Sequence, residues 1–268
     1  MRPSIKKQQI VERLMPLSNN EHLKEVKISP EDAKRDIDVI LWSMKLCSLR
    51  RYFRQRFWEA ETQAAEFAER IEPFPRLETV AEHSWHVADT VLILGGHFPW
   101  LNIDHCVKLA ILHDKMEILI GDKDPVGRNG TGSKTHAFNI SMRDKKDSFE
   151  RMAIKKYLSK LRPSVQRAQS AALHEILEGK SYEARFVKAV DKVQALAYVV
   201  LKKKGIMPDR HLIFTLRYSS KVLEHCPELV AHYSELRSRL LIQVARRRNT
   251  TIENIELVAQ EPQLSFDF

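Results

Sequence analysis

Residues 112–122 of the chain, LHDKMEILIGD, place a histidine and an aspartate side by side within an otherwise apolar run. Burying an unpaired carboxylate is costly, so Asp114 needs a partner, and a divalent cation is one candidate. On a helix, Glu117 lies one turn after His113 and Asp114 and faces the same side. Taken alone, a buried His-Asp pair is more often structural than metal-binding. A metal site therefore requires further ligands from other parts of the chain.

Two further segments each bring one metal-capable side chain to an apolar helix face. The first is AEHSWH at 81–86, which contains His83, and the second is VKAVDKVQAL at 187–196, which contains Asp191. Imidazole and carboxylate ligands together suit Mn, Fe, Co, Ni, Cu or Zn better than Ca. The three segments therefore predict a transition-metal site shared by three helices.

The apolar residues of the chain recur with the period of a helix, and this predicts an all-α fold. Only 8 glycines in 268 residues and long stretches without proline agree with it. The segment 122–139 lacks this period and is predicted to be a long loop, and the chain beyond residue 247 is predicted to fray. The first predicted helical stretch starts at the Ser29 cap and runs to residue 71 as one helix or two. The other predicted helices are 79–95, 104–121, 141–160, 163–178, 182–204, 211–223 and 227–247.

Composition narrows the class of protein without identifying a partner. The net charge of +9 suits a phosphorylated small substrate, nucleic acid, or no partner at all. No apolar run reaches about 18 residues, so no membrane span is predicted. The three cysteines are widely separated, which favours a reduced, cytoplasmic setting; they are Cys47, Cys106 and Cys226.

Three ordered blocks resemble the HD-domain superfamily of metal-dependent phosphohydrolases, whose signature is one His, then His-Asp, then a distal Asp on separate helices. HDKMEILIGD resembles the HD-x-x-E-x-x-x-GD pattern of the subgroup that contains bacterial 5′-deoxynucleotidases. RLETVAEHS at 76–84 and EARFVKAVDK at 183–192 resemble the segments around that subgroup's first His and last Asp. The resemblance covers about residues 68–205 and implies that one divalent transition metal is held by His83, His113, Asp114 and Asp191.

The same resemblance implies an HD-domain helical bundle with extra helices at both termini. Its expected parts are an N-terminal helical extension at 1–67, the phosphohydrolase domain at 68–205, and a C-terminal extension at 206–268 packed on the core. The expected activity is hydrolysis of a nucleotide phosphate ester, as in a nucleoside 5′-monophosphatase, by metal-activated water. Glu117 is the expected general acid or base, and Asp122 is expected to act on water or the sugar edge.

The residues expected to bind substrate are mostly cationic. Arg76 and Arg70 precede the first His, and an Arg fork suits phosphate oxygens, although either residue could be an ordinary surface arginine. His86 is expected to be a pocket residue. In the loop at 122–139, which departs from the subgroup pattern, Arg128 and Lys134, together with His136, could wrap a phosphate, or the loop could be a surface insertion.

Two other functions stay open from the sequence. One is an HD nuclease or a cyclic-nucleotide phosphodiesterase, which the basic charge favours and the HDxxE…GD pattern disfavours. The other is a non-catalytic HD protein that binds nucleotides for regulation, since a fold does not fix a function. The expected partner is a small-molecule nucleotide, with nucleic acid not favoured, no membrane, and room for a homodimer.

Overall fold

A computed structural model describes residues 28–59 and 76–260 of the chain. Within these ranges the fold is all-α, as predicted, and the strand-like pairing recorded there is an isolated bridge between Arg50 and Thr79. Three 3-10 turns lie at Met44–Ser48, Arg56–Trp58 and Pro227–Leu229. The helices are α1 (Pro30–Ser43), α2 (Val80–Gly95), α3 (Ile103–Leu112), α4 (Glu117–Ile120), α5 (Ile140–Leu158), α6 (Pro163–Glu178), α7 (Tyr182–Lys203), α8 (Asp209–Ser219), α9 (Lys221–His225), α10 (Val230–Arg248) and α11 (Ile252–Gln260).

Side-chain caps set the starts of the helices that carry the site. The Thr79 hydroxyl accepts a hydrogen bond from the Glu82 amide, and the Glu82 carboxylate accepts one from the Thr79 amide. This reciprocal pair fixes the first turn of α2. The Ser181 hydroxyl accepts from the Ala184 amide and begins α7. Ser29 caps α1 as predicted. Each such cap satisfies an amide that the helix itself leaves without a partner.

Helix α7 is the centre of the fold and packs against α2, α3, α6, α8, α9 and α10. Its residues Phe186, Val187 and Leu196 are at most 1% exposed. Full burial of one such side chain contributes about 1.5–3 kcal/mol. Because α2 and α3 also pack against each other, the helices that carry His83 and Asp191 and the end of α3 are held at fixed positions.

The helix predicted over 104–121 is interrupted in the structure. Helix α3 ends at Leu112, and the chain then tightens into turns in which the Lys115 amide donates to the Leu112 carbonyl and the Glu117 amide to the Asp114 carbonyl. Helix α4 is only one turn long and ends at Gly121, whose φ of 73° favours glycine. His113 and Asp114 therefore lie just past a helix end rather than in the middle of a helix.

The helix predicted to continue from residue 44 towards residue 71 is wrong over 44–59. Helix α1 ends at Ser43, and the segment 49–58 folds as turns because its backbone pairs with the strand-like residues before α2. The Arg51 amide donates to the Glu78 carbonyl at 2.9 Å, and the Val80 amide to the Leu49 carbonyl at 2.8 Å. The part of this prediction over 60–71 lies outside the described residues.

The C-terminal part of the chain is more ordered than predicted. Up to Gln260 it does not fray, because α11 packs against α8 and α10 and buries Ile255 to 2% exposure. Among the helices in the described ranges, none is both long and apolar enough to cross a lipid bilayer.

The buried ring of His211 should make folding stability fall in mild acid. Burial, and after it the Lys203 ammonium, lower the pKa of His211 to about 3, against an ordinary value of about 6.5 in the unfolded chain. With respect to His211, the folded state therefore has its full stability above pH 6.5 and loses part of it as the pH falls below 6.5. In that range His211 takes up a proton in the unfolded chain but not in the folded one. His211 stacks on Phe57 at 4.6 Å, so His211→Phe keeps the ring contact.

In the wild type, the free energy of unfolding should be lower at pH 5 than at pH 7. We expect this difference to be about 2 kcal/mol smaller in His211→Phe. Urea unfolding at the two pH values measures it, and His97→Phe, at an exposed position, is the matched control. Equal pH dependence in the wild type and in His211→Phe would contradict the assignment.

Candidate metal centre

The four side chains that the sequence singled out meet at one point. His83 lies on α2, His113 and Asp114 follow α3, and Asp191 lies on α7. The His83 Nε2 atom is 3.2 Å from His113 Nε2, 3.1 Å from Asp191 Oδ1 and 3.4 Å from Asp114 Oδ2. His113 Nε2 is also 3.1 Å from Asp114 Oδ2. Two imidazole nitrogens and two carboxylates thus surround a space of the size that one cation occupies.

The ring of His113 is fixed by a backbone carbonyl. Its Nδ1–H donates to the Ala110 carbonyl at 2.6 Å, so Nε2 is left as an acceptor. The Nε2 lone pair therefore points at the other three side chains, which is how a metal-bound histidine is usually oriented.

The ring of His83 has two alternative hydrogen-bond arrangements. In one, Nδ1–H donates to Gln194 Oε1 at 2.7 Å, and Nε2 presents a lone pair to the centre. In the other, Nδ1 accepts from the Arg51 guanidinium at 2.7 Å, and Nε2–H donates to Asp191. Only the first arrangement can bind a cation.

Glu78 favours the first arrangement of His83. Its carboxylate accepts from Gln194 Nε2 at 3.2 Å and from Arg51 Nη1 at 2.7 Å, and it is 6% exposed. Because the Gln194 amide nitrogen is held by Glu78, the amide oxygen must face His83. Sequence inspection assigned no role to Gln194 or Glu78, although both lie in quoted segments, because neither belongs to the His, His-Asp, Asp signature.

The electrostatics of the centre suit a cation. Burial opposes the charged form of Asp191, yet the Lys192 ammonium at 2.6 Å and the His83 ring together keep its pKa well below the ordinary value. Burial, followed by the Arg51 charge, lowers the pKa of His83, which favours the neutral ring. Neutral imidazole and ionised carboxylate are the forms that bind metals.

Two more carboxylates lie on the wall of the same cavity. Burial, together with Asp114 and Asp122, raises the pKa of Glu117 well above its usual range, and one of its oxygens is buried without a hydrogen-bond partner among the described residues. Asp122 accepts from the Tyr52 amide at 2.9 Å, and burial raises its pKa. Glu117 is therefore an available proton-transfer group beside the centre, whereas Asp122 is tied to the segment 49–58.

The cavity has a volume of about 490 Å³ and is lined partly by this N-terminal segment. Arg51, Tyr52 and Gln55 reach it, although the sequence assigned residues 1–67 to an extension outside the domain. Tyr52 has a φ of 62°, a left-handed conformation that costs energy and is often found at functional sites. The richness of RRYFRQRFW in arginine and aromatic residues was the available signal.

The other residues expected to bind substrate lie elsewhere. Arg76 is bonded to Glu82 on the surface, and His86, Arg128 and Lys134 are exposed. None of these four lines the cavity within the ranges described, because α2 turns His86 outward and the loop directs Arg128 and Lys134 to solvent. His136 from the same loop does line it. Arg70 lies outside the described residues.

Comparisons with known proteins bear on the family of this chain rather than on the geometry of the site. The family model of the HD domain matches residues 68–229. The human "5'-deoxynucleotidase HDDC2" is 31% identical over 175 residues, which cover 63% of this chain and 76% of that protein. The "5'-deoxynucleotidase hdd1" of Schizosaccharomyces pombe is 27% identical, covering 55% of this chain and 69% of that protein. A solved structure described as a predicted metal-dependent phosphohydrolase, from Magnetospirillum magnetotacticum, has a TM-score of 0.48 and 20% identity, covering 81% of this chain and 97% of that one.

Proposed function

Because this chain belongs to the HD-domain family, whose model matches more than half of it, we propose that it hydrolyses the 5′-phosphate ester of deoxynucleotides. It is a metal-dependent nucleotide phosphohydrolase, and its relatives carry the name 5'-deoxynucleotidase. The observation that carries the proposal is the meeting of His83, His113, Asp114 and Asp191 at a cavity that also contains Glu117.

These four residues are proposed to hold one divalent transition metal. They fit it by donor chemistry, because both carboxylates are ionised and each ring can present an Nε2 lone pair, His83 when it donates its Nδ1–H to Gln194. Burial opposes the charged form of His113, but Asp114 and Asp191 raise its pKa, so a metal would compete with a proton for this ring. Ligand atoms of His83, His113 and Asp191 lie within 4.8 Å of one another. When bound, such a cation offsets charge on a phosphoryl group and lowers the pKa of water.

Glu117 is proposed to move the proton that the reaction requires. Its buried carboxyl lines the cavity and lies one turn from Asp114. A carboxyl with a raised pKa can donate a proton to the nucleoside oxygen as the bond between phosphorus and that oxygen breaks. Asp122 is proposed to position Tyr52 through the hydrogen bond that its carboxylate accepts from the Tyr52 backbone amide.

Arg51 replaces Arg76 as the proposed phosphate contact. Its guanidinium lines the cavity beside His83, whereas Arg76 is on the surface and bonded to Glu82. The side chain of Arg51 is 12% exposed, so its charge acts in a partly desolvated place. A planar guanidinium can give two parallel hydrogen bonds to phosphate oxygens.

A substrate screen tests the proposed function. Purified protein is assayed with Mn²⁺ or Co²⁺ against 2′-deoxy and ribonucleoside monophosphates, nucleoside triphosphates, cyclic nucleotides and single-stranded DNA. We expect release of inorganic phosphate from deoxynucleotides and loss of turnover after chelation. Cleavage of the polymer or of cyclic nucleotides alone would contradict the proposal and favour a nuclease or a phosphodiesterase.

The hydrogen bond from His83 to Gln194 should matter for metal affinity. We expect Gln194→Leu, which keeps the side-chain volume but removes the acceptor, to weaken Mn²⁺ binding about 10- to 100-fold. Calorimetric titration of the metal-free protein measures it, with Gln166→Leu on the exposed face of α6 as control. Unchanged affinity in Gln194→Leu would show that His83 does not need this partner.

Two expectations about the setting of the protein belong to the same proposal. We propose a reducing, cytoplasmic location, which is supported by the free state of Cys47, Cys106 and Cys226. Assembly as a homodimer stays a prediction, and equilibrium sedimentation of the full chain measures it.

A further inference from the structure

A group of cations acts on His136, which lines the cavity. We call Arg143, Lys146, Lys192 and Lys221 the cationic cluster; all four line the cavity. They come from α5, α7 and the start of α9, which are far apart in sequence. Their charges, after burial, lower the pKa of His136 to about 3, so its ring is neutral.

Only half of the cationic cluster is neutralised by carboxylates. Lys146 pairs with Glu150, and Lys192 pairs with Asp191 at 2.6 Å. Among the described residues, Arg143 and Lys221 have no carboxylate oxygen within salt-bridge distance. Lys221 is half-buried, whereas Arg143 is exposed. The half-buried charge of Lys221 is costly without a counter-ion, and an anion that enters the cavity would offset it.

The surroundings of Lys221 show this lack of compensation. Its ammonium donates to the Ala137 carbonyl and lies over the rings of Phe138 and Tyr218 at 5.0 and 5.5 Å. The pKa of Lys221 is lowered to about 8, mainly by burial and next by the charge of Arg143. The exposed carboxylate of Glu224 acts in the opposite direction. Neighbouring cations therefore dominate the field at this end of the cavity.

The cationic cluster adjoins the metal centre without being part of it. Lys192 follows Asp191 directly. Burial lowers the pKa of Lys146, and Glu150 first, then Asp114 and Glu117, raise it. Asp147 also lines the cavity here, and its charge acts on Lys188 beside the cluster. A nucleotide phosphate at the metal centre would leave the cluster free for another anionic group on the same molecule.

We propose that the cationic cluster binds a second phosphate group of the substrate, so that the preferred substrates are deoxynucleotides with two phosphates. This rests on the proposed function, because the phosphate bonded to the 5′ oxygen is the one at the metal centre. Water then breaks the bond between that phosphorus and the 5′ oxygen, which releases pyrophosphate from dADP and inorganic phosphate from the 3′,5′-bisphosphate. Neutral His136 supplies a ring N–H to the phosphate, and Arg143 and Lys221 supply charge. This also assigns a role to the loop at 122–139, through His136 rather than through Arg128 or Lys134.

Kinetics with paired substrates test the proposal. The Mn²⁺-loaded full chain is assayed with dAMP, dADP and deoxyadenosine 3′,5′-bisphosphate, which place the second phosphate on the 5′ chain or on the 3′ oxygen. We expect the KM of at least one two-phosphate substrate to be about tenfold below that of dAMP. Arg143→Gln and Lys221→Gln should each raise that KM about tenfold and leave kcat and the KM for dAMP within about twofold.

Matched controls and a binding measurement keep the outcome interpretable. Arg151→Gln on α5 and Lys160→Gln remove exposed charges that do not line the cavity, and both should leave every KM unchanged. Calorimetric titration of inorganic pyrophosphate into the metal-free chain should show binding that Arg143→Gln and Lys221→Gln weaken about tenfold. Circular dichroism confirms that each variant is folded.

The two proposals fail differently. If dAMP is turned over but the two-phosphate substrates have no lower KM, or the variants raise the KM of all substrates alike, the second phosphate subsite is wrong and the proposed function stands. If no nucleotide is turned over yet pyrophosphate binding depends on Arg143 and Lys221, the anion site stands and the proposed function is wrong.

Discussion

His113→Ala is expected to lower phosphohydrolase turnover by on the order of a thousandfold, because it removes a proposed ligand of a cation that would stabilise charge by several kcal/mol. The fold should survive, since the His113 side chain is 8% exposed and lies at the cavity rather than among the apolar side chains that pack α7. The ring's single backbone contact, to the Ala110 carbonyl, is at a helix end where water can replace it.

Metal content and turnover are measured together for this variant. Elemental analysis of the purified protein should show about one divalent metal per wild-type chain, and sharply less for His113→Ala. His97→Ala removes an imidazole from an exposed position just after α2 and is the matched control, which should keep both metal and activity. Full metal content in an inactive His113→Ala would instead assign this ring a role in chemistry rather than in binding.

Glu117→Gln is expected to lower kcat by about 10²- to 10⁴-fold while the metal stays bound. The amide has nearly the same shape but cannot transfer the proton that the buried carboxyl transfers. Elemental analysis and stopped-time phosphate release provide the two readouts, and Glu235→Gln on the exposed face of α10 is the control.

The pH profile distinguishes a proton-transfer role of Glu117 from a merely structural one. Burial and two neighbouring carboxylates raise the pKa of Glu117, so the wild-type kcat should fall as pH rises through that pKa and the carboxyl loses its proton. In Glu117→Gln this fall of kcat at higher pH, the alkaline limb of the profile, should disappear. A variant that keeps the limb, or that loses its metal, would show that Glu117 acts in another way.

Helix positions were predictable wherever apolar period and caps agreed. Helices α5, α6 and α7 start and end within two residues of the predicted bounds, because Pro163 and Ser181 mark starts that local chemistry alone decides. The errors came at 44–59 and 113–116, where long-range pairing to Glu78 and Val80 and a turn beside the cavity override an apolar pattern. Periodicity detects burial, but a buried turn has the same composition as a buried helix.

The sequence by itself singled out the four residues that are proposed to hold the metal, because metal binding restricts ligands to a few side-chain types, and the structure brings these side chains together. The sequence also predicted that Glu117 faces them by assuming one continuous helix, whereas turns connect Asp114 to Glu117 in the structure. What only the tertiary structure decided is the rest of the cavity. Arg51 and Gln194 meet His83 across 32 and 111 residues of chain, and the cationic cluster unites α5, α7 and α9. Such contacts depend on how whole helices pack. A local pattern of residues does not show which distant parts of the chain will meet.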